Sequence, residues 1–365
     1  MARNLELEAL IAKAPDDVGN YNVYADWLIQ QGDPRGELIN AQLKYETATA
    51  AADRSALEDR IGELHDKHDA EWLGELATQK QGFTVTWRRG FLHEVTLGDD
   101  DAADIAFQDL YAKLRPLPVA QLFRAITFAA FQDDDQPTWD SGVTAMVEHG
   151  VPATLRKVVF DRGSYWDISG TYLNVLEPLY ALAPDLEHLE INLGNMELGT
   201  INLPKLRHFE VWTGGFTSDN MKAVVAATWP KLETLLLRFG GSEDYGANTA
   251  VEDVLPLLAA NGIPNVRHLA LANSPFIDAL IPHLAKSPLL KQITKLDLSL
   301  GEMSDAGATA IVEHAAAFKH LESLNVHRNY LSEASVTALK GVVANVDGGG
   351  QEDPDDDYRY CQIGE

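Results

Sequence analysis

The chain has 365 residues, with 55 Asp plus Glu against 29 Lys plus Arg and a formal net charge of −26. That balance disfavours a direct grip on nucleic-acid phosphates or anionic lipid, and it permits a basic protein partner. The single cysteine, Cys361, excludes an intrachain disulfide and a Cys-based zinc site. With no signal-peptide or membrane-span pattern, the expected location is the cytoplasm.

The first 80 residues read as helices. Leu7, Leu10 and Ile11 share a face over Leu5–Lys13. Tyr21, Tyr24, Trp27 and Leu28 do so over Val18–Gln31, which Gly32 closes. Asp33 and Pro34 open a third helix as N-cap and N1, with Leu38, Ile39, Gln42 and Tyr45 on its apolar side. Ala52 to Ala77 continues helically through Leu57, Ile61, Leu64, Trp72, Leu73 and Leu76. His65 and His68 lie at i and i+3, a spacing that can share a metal, but no third ligand is indicated and the plainer reading is a solvated face.

Val23-Tyr-Ala-Asp-Trp-Leu28, then Gly32-Asp-Pro-Arg-Gly-Glu37 with Ile39 and Gln42, resembles the short bacterial repeat-companion domain over about residues 5–45. Tyr21-Asn22 stand where family members often carry Arg-Leu. The resemblance implies a helical cap ahead of leucine-rich repeats and implies no chemistry. Asp26, Arg35 and Glu37 read as mutual partners locking the helix junction, with a polar binding notch as the alternative.

From residue 81 a strand pattern recurs. Its anchors are Leu92/Val95/Leu97, Phe123/Ile126/Phe128, Leu155/Val158/Phe160, Leu186/Leu189/Ile191, Leu206/Phe209/Val211, Leu232/Leu235/Leu237, Val266/Leu269/Leu271, Ile293/Leu296/Leu298 and Leu321/Leu324/Val326. The last continues through Asn329 and Leu331, completing L-x-x-L-x-L-x-x-N-x-L. Strands are expected to centre near residues 95, 127, 159, 190, 210, 236, 270, 297 and 325. Between them the period changes to about 3.6 residues over Asn220–Thr228, Thr249–Ala260, Phe276–Lys286, Ala306–Phe318 and Glu333–Val343. Residues 193–203 show no helical period. The pattern resembles the ribonuclease-inhibitor-like class of leucine-rich repeat, and Met303–Ile311 looks like that class's helix entry. The expected fold is α/β: a right-handed leucine-rich repeat solenoid over 81–346 with a helical N-terminal cap over 1–80. Residues 347–365 then form an acidic loop and a closing strand at Tyr358–Ile363, with Cys361 structural. Asp353–Asp357 lacks the spacing and central Gly of a calcium loop.

Positions alternating with the anchors face outward on the concave sheet. They include Lys157, Val159, Asp161, His188, Glu190, Asn192, His208, Glu210, Trp212, Leu236, Arg238, His268, Asp297, Asn325 and His327. These make the expected protein-binding surface, with Trp212 as anchor because interface hot spots favour Trp. Packing of Trp212 on Phe216 or Arg238 is the alternative. The expected function is a non-enzymatic interaction scaffold or adaptor, with no cofactor and no metal. One alternative is an inhibitor or immunity-type protein occluding a basic toxin or nuclease. Another is a metal-dependent enzyme on His188, Glu190, His208 and Glu210, which adjacent strands would bring within zinc-binding reach. No Gly-x-x-x-x-Gly-Lys-Ser/Thr, Gly-x-Ser-x-Gly or His-Glu-x-x-His motif occurs.

Overall fold

The computed structural model describes residues 1–79, 82–98, 107–129, 139–161, 168, 170–241, 243–353 and 358–363. The chain divides into two compact units, one of residues 1–133 and 141–158, the other of residues 134–140 and 159–365.

In the first unit, α1 (Leu5–Lys13) is capped by the Asn4 side chain, which accepts the Leu7 N–H at 3.2 Å. The helix α2 (Val18–Gln30) is capped by Asp17 and stops at Gly32, whose φ of 72° suits glycine. Then come α3 (Arg35–Thr47) and α4 (Ala51–Leu73). The Asp33 carboxylate accepts the Arg35 N–H at 3.0 Å and also pairs with the fully buried Arg35 guanidinium at 3.0 Å. This corrects the expected Asp26–Arg35–Glu37 pairing: Asp26 is exposed, and Glu37 reaches Arg60 on α4 instead. Asp33 wins because it stands at the helix start, where one carboxylate serves both the backbone and the guanidinium.

A hairpin of β1 (Phe83–Arg88) and β2 (Phe91–Leu97) follows, antiparallel, where the sequence pattern indicated only the second strand. Arg89 and Gly90, at φ 50° and 74°, make the two-residue turn whose left-handed backbone matches strand twist. This turn docks on the helices. Gly90 N–H donates to Gln42 Oε1 at 2.7 Å, and a Cβ at Gly90 would overlap Ile39. Arg89 pairs with Glu46 at 2.7 Å and lies over the Tyr21 ring. Beneath it, Ile11, Tyr24, Leu28, Ile39, Phe91 and Leu122 form one buried cluster, with Trp27 packed against it. On the other side β2 pairs in parallel with β3 (Ala125–Phe128). The helix α5 (Phe107–Leu114) also belongs to this unit, and α6 (Asp140–His149) and β4 (Lys157–Asp161) straddle the division.

The second unit repeats strand, turn and return segment. Its elements are β5 (Tyr172–Leu173), α7 (Glu177–Leu182), β6 (His188–Asn192), β7 (Asn195–Met196), β8 (His208–Trp212), α8 (Ser218–Ala226), β9 (Thr234–Arg238), α9 (Val251–Val254) and β10 (His268–Ala272). They continue with α10 (Ile277–Leu284), α11 (Pro288–Gln292), β11 (Lys295–Asp297), α12 (Asp305–Glu313), α13 (Ala315–Phe318), β12 (Ser323–Asn325), α14 (Glu333–Lys340) and β13 (Val346–Asp347). The pairs from β6 through β8, β9, β10, β11 and β12 to β13 are all parallel. Their register aligns Leu189, Phe209, Leu235, Leu269, Leu296 and Leu324 in one row, each buried. Buried apolar residues at every second position, with Ile191, Val211, Leu237 and Leu271 forming a further row on the same face, are what period-two alternation demands of a sheet covered on one side.

The returns follow local chemistry. Thr217, Ser287, Ser304 and Ser332 cap α8, α11, α12 and α14 with side-chain oxygens. The single helix expected over Thr249–Ala260 is only α9 and a 3₁₀ turn at Leu257–Ala259, because Pro256 has no N–H to continue it. Residues 193–203 hold no helix; there β7 pairs with β5. Asn329, fully buried, donates to Leu298 O at 2.9 Å and Val326 O at 3.1 Å and accepts the Met303 N–H at 3.1 Å, tying two adjacent turns together. The closing strand expected at Tyr358–Ile363 does not form. Val346–Asp347 takes that place beside β12, and the Tyr358–Ile363 segment bonds to turns beyond the strand ends. Residues 354–357 of the acidic stretch lie outside the described residues. Among the described residues no helix is long and apolar enough to cross a membrane.

Candidate functional site

The face of the second unit's sheet opposite its core carries most of the candidate residues. The parallel register sets His188 beside His208, Glu190 beside Glu210 and Asn192 beside Trp212. The two imidazoles stack with centroids 4.0 Å apart and planes 2° from parallel. Each donates along its own strand, His188 Nε2 to Glu190 at 3.3 Å and His208 Nε2 to Glu210 at 2.9 Å.

Glu210 is the centre. Its Oε1 also accepts Trp212 Nε1–H at 2.6 Å and Arg238 Nη1–H at 2.7 Å. The Arg238 guanidinium lies 3.5 Å from the Trp212 ring centroid, a cation–π stack. Trp212 thus packs on Arg238, as its alternative reading had it, and remains half-buried. Burial alone would raise the Glu210 carboxyl, but the His208 hydrogen bond, the Arg238 charge and the Trp212 N–H outweigh it and hold it at about 2. The His188 hydrogen bond likewise lowers Glu190 against the opposing effect of burial, helped by Asn192 Nδ2–H at 2.9 Å.

Other candidates serve differently. Asn192, Leu236 and Arg238 are buried, which corrects their assignment as exposed contacts. Leu236 packs with Ala270 and Ala272 on this face. These outward alanines were missed; the register sets Ala270 beside Leu236 and Ala272 beside Arg238. Burial makes His268 a weaker base. Asp297 and Asn325 each accept a backbone N–H two residues on, from Ser299 at 2.9 Å and His327 at 3.0 Å, so both shape strand-end turns. His327 faces Asp347 at 3.6 Å. Asp161 accepts from Asn192 Nδ2 at 3.4 Å, whereas Lys157 belongs to the first unit.

The stack bears on zinc binding. Each Nε2 carries the hydrogen it donates to its own glutamate, and stacked parallel rings do not converge, while tetrahedral coordination needs nitrogen lone pairs directed at one metal at about 2.0–2.1 Å. Among the described residues no group of three or more His, Cys, Asp or Glu side chains is placed to hold a metal. The His65–His68 pair is also spoken for. His65 donates to Asp69 at 2.8 Å and meets Trp72 and Trp87 edgewise, and His68 stacks on Trp72.

Known proteins offer a fold and no more. No family model matches the chain, and no curated protein matches it. Among solved structures, the crystal structure of a Bacteroides fragilis protein is similar at TM-score 0.63 and 20% identity, over 85% of this chain and 86% of that one.

Proposed function

We propose that the second unit is a ribonuclease-inhibitor-like leucine-rich repeat array and that α1–α3 are a repeat-companion module covering the hairpin of the first unit. On this reading the protein is a non-enzymatic, cytoplasmic scaffold or adaptor. It binds a protein partner on the polar sheet face, from β6 to β9. The aligned core row and the buried Asn329 support the repeat reading.

The observation that carries the binding reading is the grip on Glu210. Three side chains from two strands fix one carboxylate and hold Trp212 flat under Arg238, partly open to solvent. A surface ordered before binding loses little side-chain entropy on association, and a Trp–Arg pair is typical hot-spot chemistry. The net charge of −26 favours a basic partner. An inhibitor of a basic toxin or nuclease is the narrower form of the same reading. The test is affinity capture from the native host with wild-type and Trp212→Ala/His208→Ala baits of equal thermal stability. The partner should be lost from the variant bait; capture at undiminished yield would sink the sheet-face assignment.

A further inference from the structure

The segment Tyr358–Ile363 crosses the turns that end three successive strands of the second unit. Tyr330 Oη accepts the Tyr360 N–H at 3.1 Å and donates to Tyr360 O at 3.2 Å. Gln362 N–H donates to Leu300 O at 2.8 Å. The Asn273 carboxamide takes residue 363 from both sides, its Oδ1 accepting the Ile363 N–H at 3.0 Å and its Nδ2 donating to Ile363 O at 2.7 Å. All five bonds are to the tail's main chain, so the tail's side chains do not decide them. The seat is built into the turns: Asn273 is fully buried, and Asn273 and Leu300 stand at φ 49° and 65°.

Side chains add selectivity at alternate positions. Arg359 Nη1 donates to Glu302 O at 2.6 Å and pairs with Asp278 at 3.3 Å. Cys361 Sγ lies 4.0 Å from Glu302 Oε1, and Ile363 is buried. Main-chain bonds for affinity with pockets for alternate residues are how sheet-edge sites read extended peptides.

The tail is an imperfect occupant. Gln362 Oε1 accepts from Arg328 at 2.7 Å, but its Nε2 is buried without a hydrogen-bond partner. A buried unpaired donor weakens binding. Cys361 offers the half-buried Glu302 carboxylate only a thiol. A better-matched segment therefore gains against it.

We propose that this groove is a peptide-recognition site, separate from the sheet face. An extended segment of another polypeptide enters it by displacing the chain's own tail. The entering segment carries a cation at the Arg359 position and a branched aliphatic residue at the Ile363 position.

The test uses a labelled peptide with the sequence of residues 358–365, Ser replacing Cys, titrated by fluorescence anisotropy against three full-length chains. These are wild type, R359E/I363D and R359E/I363D/Y330F. A tethered tail competes at an effective concentration of the order of millimolar, so wild type should bind at least about tenfold more weakly than R359E/I363D. Adding Y330F should weaken binding again, and a peptide with Asp at the Ile position should not bind. The proposal fails if R359E/I363D remains folded, shows fast amide exchange at residues 360–363, and still takes no peptide. It also fails if the Asp-bearing peptide binds equally. R359E alone, at a partly exposed position, serves if the double variant does not fold. A wild-type chain that dimerises in sedimentation, with dimerisation abolished by I363D, would assign the groove to a second copy's tail instead.

Discussion

Glu210→Gln removes one charge and keeps the shape. A carboxyl held at about 2 rather than the usual 4.5 is bound to the fold by its ionised form. At about 1.4 kcal/mol per pH unit that is about 3 kcal/mol, and partial solvent contact trims it to about 2 kcal/mol. The sign follows from linkage. The folded-state value is depressed, so the stabilisation is present in full above pH 4.5 and is lost as pH falls towards 2. The variant should therefore be about 2 kcal/mol less stable than wild type at pH 7 in denaturant melts. The gap should narrow below pH 4.5, fall to about a quarter of its neutral value near pH 2.5 and close only below pH 2, read in whatever denaturant range keeps both proteins folded at the start. The Trp212 indole also loses its charged acceptor, so its fluorescence should shift. A destabilisation that is the same at pH 7 and pH 3, or one below about 0.5 kcal/mol at pH 7, would refute the claim that Glu210 organises this face.

Leu324→Ala, at a buried position of the aligned row, should cost about 2–5 kcal/mol in urea melts. Asn325→Ala should cost about 1 kcal/mol, because its side chain accepts the His327 N–H; equal losses at the two positions would contradict the in/out assignment. Gly90→Ala adds a methyl against Ile39 at a left-handed backbone position. It should destabilise the first unit by more than about 1 kcal/mol, shown by faster amide exchange in α3. Deleting residues 1–80 uncovers Phe91 and Leu122, and the product should associate in sedimentation; a soluble monomer with unchanged melting temperature would make the helices an independent module.

The strands were legible because a sheet covered on one side writes its burial into every second residue. Leu189, Phe209 and Leu235 fall in one row as the spacing implied. The His–Glu pairs were legible for the same reason, since equivalent positions on neighbouring strands must touch. The hairpin was not. Phe83, Val85 and Trp87 alternate, but the turn is Arg-Gly, and an arginine at positive φ carries none of the usual Asn-Gly signal. The burial of Leu236 on β9 depends on Ala270 and Ala272 of β10 across the ladder, so it is a property of two paired strands rather than of one. The tail misled for a further reason. Its alternation is genuine, but its own backbone groups bond to the Asn273 and Tyr330 side chains and to Leu300 O, and bonds made by a segment's main chain leave no mark in its side-chain pattern.

Hydroxyl-radical footprinting of the captured complex tests the central claim most directly, because it reads side chains that an amide-exchange experiment on an already bonded sheet would miss. The account predicts that Trp212, His188 and His208 lose reactivity when the partner is bound, while residues on α8, α10, α12 and α14 keep theirs. Protection of those helices with Trp212 unchanged would contradict it.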